Sequence, residues 1–402
     1  MVHVAVLGYG TIGSGAVQVL ARNAGSIAAR SGSPIEVKYI LDLRDFPGDE
    51  FEDKIVHDFD IINNDPDISV IVECMGGTGA AYTFVKAALE SGRSVVTSNK
   101  ELVAMYGPQL IALAREKNVN FLFEASVGGG IPIIRPLISS LTADVIEKIN
   151  GILNGTTNYI LTKMEEEGID FGTALSQAQA LGYAELHPEA DVEGYDACRK
   201  IAILSSLAWG SQVDYRDIHT EGITKITEDD IRYANAAGYK IRLLGSSWKT
   251  ESGEYCAMVA PFLVSNENPL AGVKDVFNAI FVRGNMVDDT MFYGKGAGSL
   301  PTASAVVADV VDCVINQGRN IRIHWDEKKC QIKDHLEYER RFFVRMPGDT
   351  DDSLIAQCFG STQAVAAEGM NDKAFITDIM KEKEFEAACA KAGTVISGIR
   401  LD

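Results

Sequence analysis

Over residues 1–130, apolar runs of strand length at 2–7, 37–41, 70–72, 94–96 and 120–123 alternate with stretches of helical character, among them 80–90 and 107–117. Short, nearly continuous apolar runs suit strands covered on both faces, and their alternation with helices predicts βαβ units around a parallel sheet. The cluster Gly128-Gly129-Gly130-Ile131-Pro132, followed by Arg135-Pro136, interrupts this rhythm and predicts a crossover into a second unit. Residues 131–300 mix strand-like segments (146–152, 255–264, 279–282) with helical ones (194–209, 229–244), which reads as an α+β domain for substrate and dimerisation. The small-residue apolar stretch from Pro301 predicts a helix over 301–320 that packs back on the first domain. From Arg341 the pattern restarts as strand 341–346, helix 352–359, strands 364–368 and 373–379, helix 383–391 and strand 394–399. That βαββαβ order predicts a small ferredoxin-like domain over 340–402, joined through the charged segment 326–340.

Length supports this division, because 402 residues exceed the roughly 250–300 at which single cores stop growing. A net charge of −19 disfavours nucleic acid and anionic membrane as partners, since basic surface holds both. No apolar run approaches the roughly 18 residues of a membrane span. Seven scattered cysteines form no CxxC pair and no zinc-like spacing, and the chain opens on a strand-like segment with no basic region before it. A reduced, cytoplasmic setting is therefore expected.

Gly8-Tyr9-Gly10-Thr11-Ile12-Gly13 lies between the first strand and a helical stretch, the context of a dinucleotide-binding turn in a doubly wound Rossmann sheet. Gly8 permits the tight turn, Gly10 lets backbone approach a pyrophosphate, and Gly13 allows close packing of helix on strand. The helix N-terminus offers free N–H groups to the anion. Near the end of the second strand stand Asp42 and Arg44: the acid suits the ribose hydroxyls of NAD, the arginine the extra phosphate of NADP, and both readings stay open beside that of solvated loop charges.

Residues 182–200 carry Glu185, Glu189, Asp191, Glu193, Asp196, Arg199 and Lys200 ahead of an apolar helix. Asp196 and Lys200 share a helix face at spacing i,i+4. One reading is an exposed ion pair. The other is a lysine whose pKa carboxylates raise and burial lowers, poised to donate a proton to a carbonyl oxygen during reduction by hydride. The surplus acids suit a substrate ammonium group, hence an amino-acid-like small molecule.

The glycine turn, Ser98-Asn99-Lys100, Glu124-Ala125-Ser126-Val127-Gly128-Gly129-Gly130-Ile131-Pro132, Asn154-Gly155-Thr156-Thr157-Asn158 and the 182–200 segment occur in the order found in homoserine dehydrogenases, and residues 1–320 resemble that family. The resemblance implies NAD(P)-dependent interconversion of L-homoserine and L-aspartate 4-semialdehyde, in threonine, methionine and isoleucine biosynthesis. It implies catalytic roles for Lys200, Asp196 and Lys100, with Lys200 the proton donor, and substrate binding by Glu185 and Asp191. It places Gly8, Gly10, Thr11, Ile12, Gly13, Ser98, Lys100 and Gly298 at the cofactor. It also implies a structural monovalent cation, sodium or potassium, at Glu124, Val127, Gly129 and Ile131, and a homodimer or homotetramer. The carboxy-terminal unit resembles the ACT regulatory domains of many such enzymes, although Met346-Pro347-Gly348-Asp349-Thr350 departs from their usual Asp-x-Pro-Gly turn.

Two other classes compete. Cys74 at a strand end would serve a phosphorylating semialdehyde dehydrogenase as its thiolate nucleophile, or simply pack. A non-catalytic dinucleotide sensor with an amino-acid-responsive terminal module is the second.

Overall fold

In the computed structural model, which describes residues 1–402, the strands Val2–Leu7, Ile35–Leu41, Ile55–Val56, Ile68–Glu73, Ser94–Thr97 and Phe121–Leu122 form one parallel sheet. Their spatial order is third, second, first, fourth, fifth, sixth. Such a sheet reverses direction between its first and fourth strands, and the crevice beyond their carboxyl ends is where doubly wound folds seat ligands. Leu7 leads into the glycine turn there, and Glu73 into Cys74.

The helix Ser299–Ile315 returns to this unit and lies against the helix Thr11–Arg22. Contact is close enough that a Cβ on Gly15 would fall 2.6 Å from the Ser299 hydroxyl. One helix begins earlier than the sequence pattern suggests, since Lys100–Glu116 takes in all of 100–106. Its cap is Asn99, whose side chain accepts the Leu102 N–H at 3.0 Å. Pro108 sits inside the helix rather than at its start and brings no N–H, which leaves the Ala104 carbonyl without its helical donor. Gln212 Nε2 supplies the missing hydrogen bond at 3.0 Å, and Trp325 Nε1 in turn donates to Gln212 Oε1 at 2.8 Å.

A second sheet of ten strands holds Ile146–Ile152 between Tyr239–Lys249 and Phe277–Gly284, both antiparallel to it. Residues 239–244 are therefore strand, not the tail of a helix. The helix Glu228–Ala236 stops because Gly238 turns the chain at φ +82°. Beyond it, Tyr239–Lys249 pairs along its whole length with Tyr255–Ser265. The helices Gly155–Glu167 and Tyr195–Trp209 pack on this sheet.

The last sixty residues form the strands Phe342–Met346, Thr362–Val365, Lys373–Thr377 and Ser397–Leu401 with the helices Asp352–Phe359 and Glu382–Ala392. Phe342, Phe359, Phe375 and Phe385 fill the space between these strands and helices. The unit does not hang on a bare linker. Ser397–Leu401 pairs in parallel with Tyr255–Ser265, so the two sheets are one. Within 326–340, Asp326–Lys329 pairs with Ser211–Gln212.

Candidate active site

A cavity of about 700 Å³ opens between the two sheets, and both contribute walls: Ile12, Ser98, Lys100 and Gly129 from one side, Asn154, Glu185, Asp191, Asp196, Lys200 and Gly298 from the other. The helix Tyr195–Trp209 points its first turns at this space, and 11 of its 15 residues are buried, so its charged residues have few exits to water. Asp196 is the hub. Its Oδ2 accepts from Lys200 Nζ at 2.6 Å and from Asn154 Nδ2 at 2.9 Å, while Lys100 Nζ reaches Oδ1 at 2.9 Å. The side chains of Asp196 and Lys200 are only 6% and 11% exposed, which excludes the solvated helical pair.

Lys200 Nζ also donates to the Leu153 carbonyl at 2.8 Å. An ammonium has three donors, so with two engaged the third remains for the cavity that Lys200 lines. Asp191 Oδ1 accepts the Asn154 amide at 2.7 Å, which sets both aspartates on one side-chain donor. Asn154 was not singled out as a site residue from the sequence, although the motif Asn-Gly-Thr-Thr-Asn contained the signal. Its side-chain oxygen meanwhile caps the helix Gly155–Glu167 by accepting the Thr157 N–H.

Burial would raise the Asp196 carboxyl, but Lys200 and Lys100 outweigh it and hold the group ionised, well below the usual carboxylate range. Asp191 moves the other way, raised by burial and by the Asp196 charge. Lys100 is held protonated by Asp196. The cluster is thus an acid flanked by two ammonium groups, with a second acid beside it; Glu185, exposed, stands at the rim.

The dinucleotide turn fits its ligand by shape. A Cβ on Gly13 would come 1.8 Å from the Gly8 carbonyl, whereas one on Gly10 would meet nothing within 4 Å, so Gly10 faces open space. Gly10 caps the helix Thr11–Arg22 without any side chain, leaving its first N–H groups for an anion. Gly8 and Gly10 line a second cavity of about 580 Å³ with Asp42, Arg44 and Cys74. Thr11 is exposed and lines neither space; its carbonyl accepts the Ser299 hydroxyl at 2.7 Å, next to Gly298. Gly13 serves packing.

Glu124, Val127 and Ile131 are buried away from the cleft. The Glu124 carboxylate is occupied by the N–H groups of Ile133, Ile134 and Arg135 at 2.6–2.8 Å. These three donors take up most of that carboxylate's acceptor capacity, and the segment otherwise offers its main-chain oxygens. Gly128 and Gly129, at φ +76° and +57°, fold it tightly, and a Cβ on Gly129 would strike the Gly296 carbonyl at 2.4 Å.

Cys74 is no thiolate. Burial first, and the adjacent Glu73 second, push its thiol well above the ordinary range. Glu73 itself is fully buried and hydrogen-bonded to Thr97 and to the Met75 N–H. Burial pushes its carboxyl up from 4.5 to about 7. Between those values the folded chain keeps a proton that the unfolded chain has released, so this group makes stability fall as pH rises from about 5 to 7. Glu73→Gln, neutral throughout, is expected to reduce the loss of Tm between pH 5 and pH 8 relative to the parent. Parallel Tm–pH profiles for the two would show that Glu73 is ionised in the fold.

The model of the NAD-binding domain of homoserine dehydrogenase matches residues 8–124, and that of homoserine dehydrogenase itself matches 132–311. The homoserine dehydrogenase of Pseudomonas aeruginosa is 47% identical over 315 residues, covering 78% of this chain and 72% of that protein. The crystal structure of a homoserine dehydrogenase from Thiobacillus denitrificans superposes with a TM-score of 0.91 at 36% identity, covering 100% of this chain and 98% of that one. A hyperthermophilic archaeal homoserine dehydrogenase in complex with NADPH aligns at a TM-score of 0.68 and 28% identity, over 80% of this chain and 99% of that one.

Proposed function

The chain belongs to the homoserine dehydrogenase family, and from that premise we propose that Lys200 protonates the carbonyl oxygen of aspartate 4-semialdehyde and, in the reverse direction, takes the proton from the hydroxyl of homoserine. The observation that carries this reading is the meeting of Lys200, Lys100 and Asp196 in a cavity whose other wall, Ile12 and Ser98, belongs to the dinucleotide-binding sheet. NAD(P)H, which the Gly8–Gly13 turn with Ile12, Ser98 and Gly298 would hold, would supply the hydride for the carbonyl carbon, and its oxidised form would accept it in reverse.

Asp196 accepts a hydrogen bond from Lys200 and pairs with Lys100, so the Lys200 amine stays placed at the cavity whichever way the proton moves. Lys100 spans from the dinucleotide domain to Asp196 and fixes the spacing of the two walls. Asp191 and Glu185 present oxygens for the substrate ammonium. An assay of homoserine with NAD+ and with NADP+ tests the activity, following formation of the reduced nicotinamide. Asp191→Asn is expected to raise KM for homoserine about 10- to 100-fold, the loss of one charge-assisted hydrogen bond, with kcat changed far less. An unchanged KM would remove Asp191 from the substrate site.

The same reading gives the segment after Glu124 a structural sodium or potassium ion, held by the main-chain oxygens of Glu124, Val127, Gly129 and Ile131. Its support is the tight Gly128-Gly129 fold, which turns this segment sharply against Gly296. We place the division of the chain at 1–130, 131–300 and 340–402, the last unit ACT-like by its βαββαβ order. Assembly as a homodimer or homotetramer is supported by the edge strand Asp288–Lys295, which leaves Met291 and Tyr293 exposed. No helix is long and apolar enough to cross a membrane, and a cytoplasmic setting is proposed.

A further inference from the structure

Asp42 follows the strand Ile35–Leu41 and stands beside the glycine turn, where the Gly8 N–H is bonded to the Leu41 carbonyl at 2.8 Å. Its Oδ2 accepts the Tyr9 N–H at 2.9 Å, from within the turn itself, and its Oδ1 accepts the Arg44 N–H at 3.0 Å. Two backbone donors fix this carboxylate, so it cannot swing away from whatever occupies the cavity. The Arg44 guanidinium completes a fork at 3.0 Å to each oxygen, and first of all through this contact holds Asp42 ionised.

The two partners differ in freedom. The Asp42 side chain is 10% exposed and that of Arg44 is 63% exposed. Displacing an exposed, solvent-screened arginine from a carboxylate costs little. Displacing an acid held by two peptide N–H groups costs the turn its donors' partner. The surrounding charge is mostly negative as well. Residues 42–58 carry seven acids (Asp42, Asp45, Asp49, Glu50, Glu52, Asp53, Asp58) against Arg44 and Lys54. Of the acids, Asp49 reaches the turn too, accepting from the Tyr9 hydroxyl at 3.0 Å.

Resting on the dinucleotide reading above, we propose that this chain selects NAD(H) over NADP(H), with Asp42 as the determinant. The two hydroxyls of the adenosine ribose take the carboxylate lone pairs that Arg44 now occupies. A 2′-phosphate, with two negative charges, would sit against a carboxylate fixed by two peptide N–H groups, in a loop where acids outnumber bases.

Dissociation constants for NADH and NADPH, read from the change in their fluorescence on binding, test this without turnover. The natural chain is expected to bind NADH at least tenfold more tightly. Asp42→Ala is expected to weaken NADH at least tenfold while strengthening NADPH several-fold, and the kcat/KM ratio for the two cofactors should move with it. If Asp42 merely supported the turn, its loss would weaken both dinucleotides alike, and that result overturns the proposal. So does a natural chain that binds NADPH equally well or better. Failure to bind either dinucleotide would overturn the dinucleotide site together with the preference, whereas equal binding of both overturns the preference alone.

Discussion

Lys200→Ala should lower kcat for homoserine oxidation by about 10²- to 10⁴-fold, the range that a positioned general acid–base contributes, while NADH binding stays within about twofold. The size follows from the surroundings. Lys200 is the ammonium that Asp196 and the Leu153 carbonyl aim into the cavity, and truncation leaves the reacting oxygen without a proton donor. Lys100 still neutralises Asp196 at 2.9 Å, so the buried acid retains one partner and the variant should fold. Lys200→Arg separates charge from proton transfer, since a guanidinium preserves the ion pair but gives up its proton far less readily than an ammonium. Both variants should be inactive if proton transfer is the role. Recovery by arginine would mean that only the positive charge is needed. Turnover by Lys200→Ala within about tenfold of the parent, roughly 1.4 kcal/mol of transition-state stabilisation, would sink the assignment.

What could be read from the chain alone was whatever depends on near neighbours. The first strand, the glycine turn and the helix behind it are set by period and by Gly8, Gly10 and Gly13, and they form as expected. Asp196 and Lys200 could be paired by helical spacing, but whether they were solvated or buried depended on the sheet packed over them. The cluster closes through partners far away in sequence. Asn154 lies 42 residues from Asp196, and Lys100 comes from the other sheet altogether. Two misplaced elements have the same origin. Gly107-Pro108 looks like a helix start, and only Gln212, more than a hundred residues later, makes proline tolerable within the turn. Residues 239–244, Tyr-Lys-Ile-Arg-Leu-Leu, mix two bases with apolar residues over too short a run to separate strand from helix by period; antiparallel pairing with 255–265 decides for the strand.

The largest expected effect on stability lies outside the cleft, at Arg345. It stands on the strand Phe342–Met346 with its side chain 4% exposed, and its Nε donates to Asp230 Oδ1 at 3.0 Å. Nη1 meets Asp372 at 2.8 Å and Asp229 at 3.2 Å, and Nη2 donates to the Thr227 hydroxyl at 2.9 Å. Asp230 is completely buried and also caps its own helix, accepting the Thr227 N–H at 2.9 Å. Arg345→Ala removes the cation from an acid that cannot reach water, and breaking a buried pair in this one-sided way costs about 3–5 kcal/mol. Thermal or urea unfolding should show that loss, with kcat for homoserine little changed, because no group of this network lines the catalytic cavity. The pair itself is expected to be worth much less than either half suggests: an Arg345→Met, Asp230→Ala double variant, which leaves only the partly exposed Asp229 and Asp372 without their cation, should recover part of the deficit. A single variant that lost under about 1 kcal/mol would mean that water reaches Asp230. In that event the sheet pairing at Ser397–Leu401, rather than this charge network, would be what fastens the terminal unit to the rest of the enzyme.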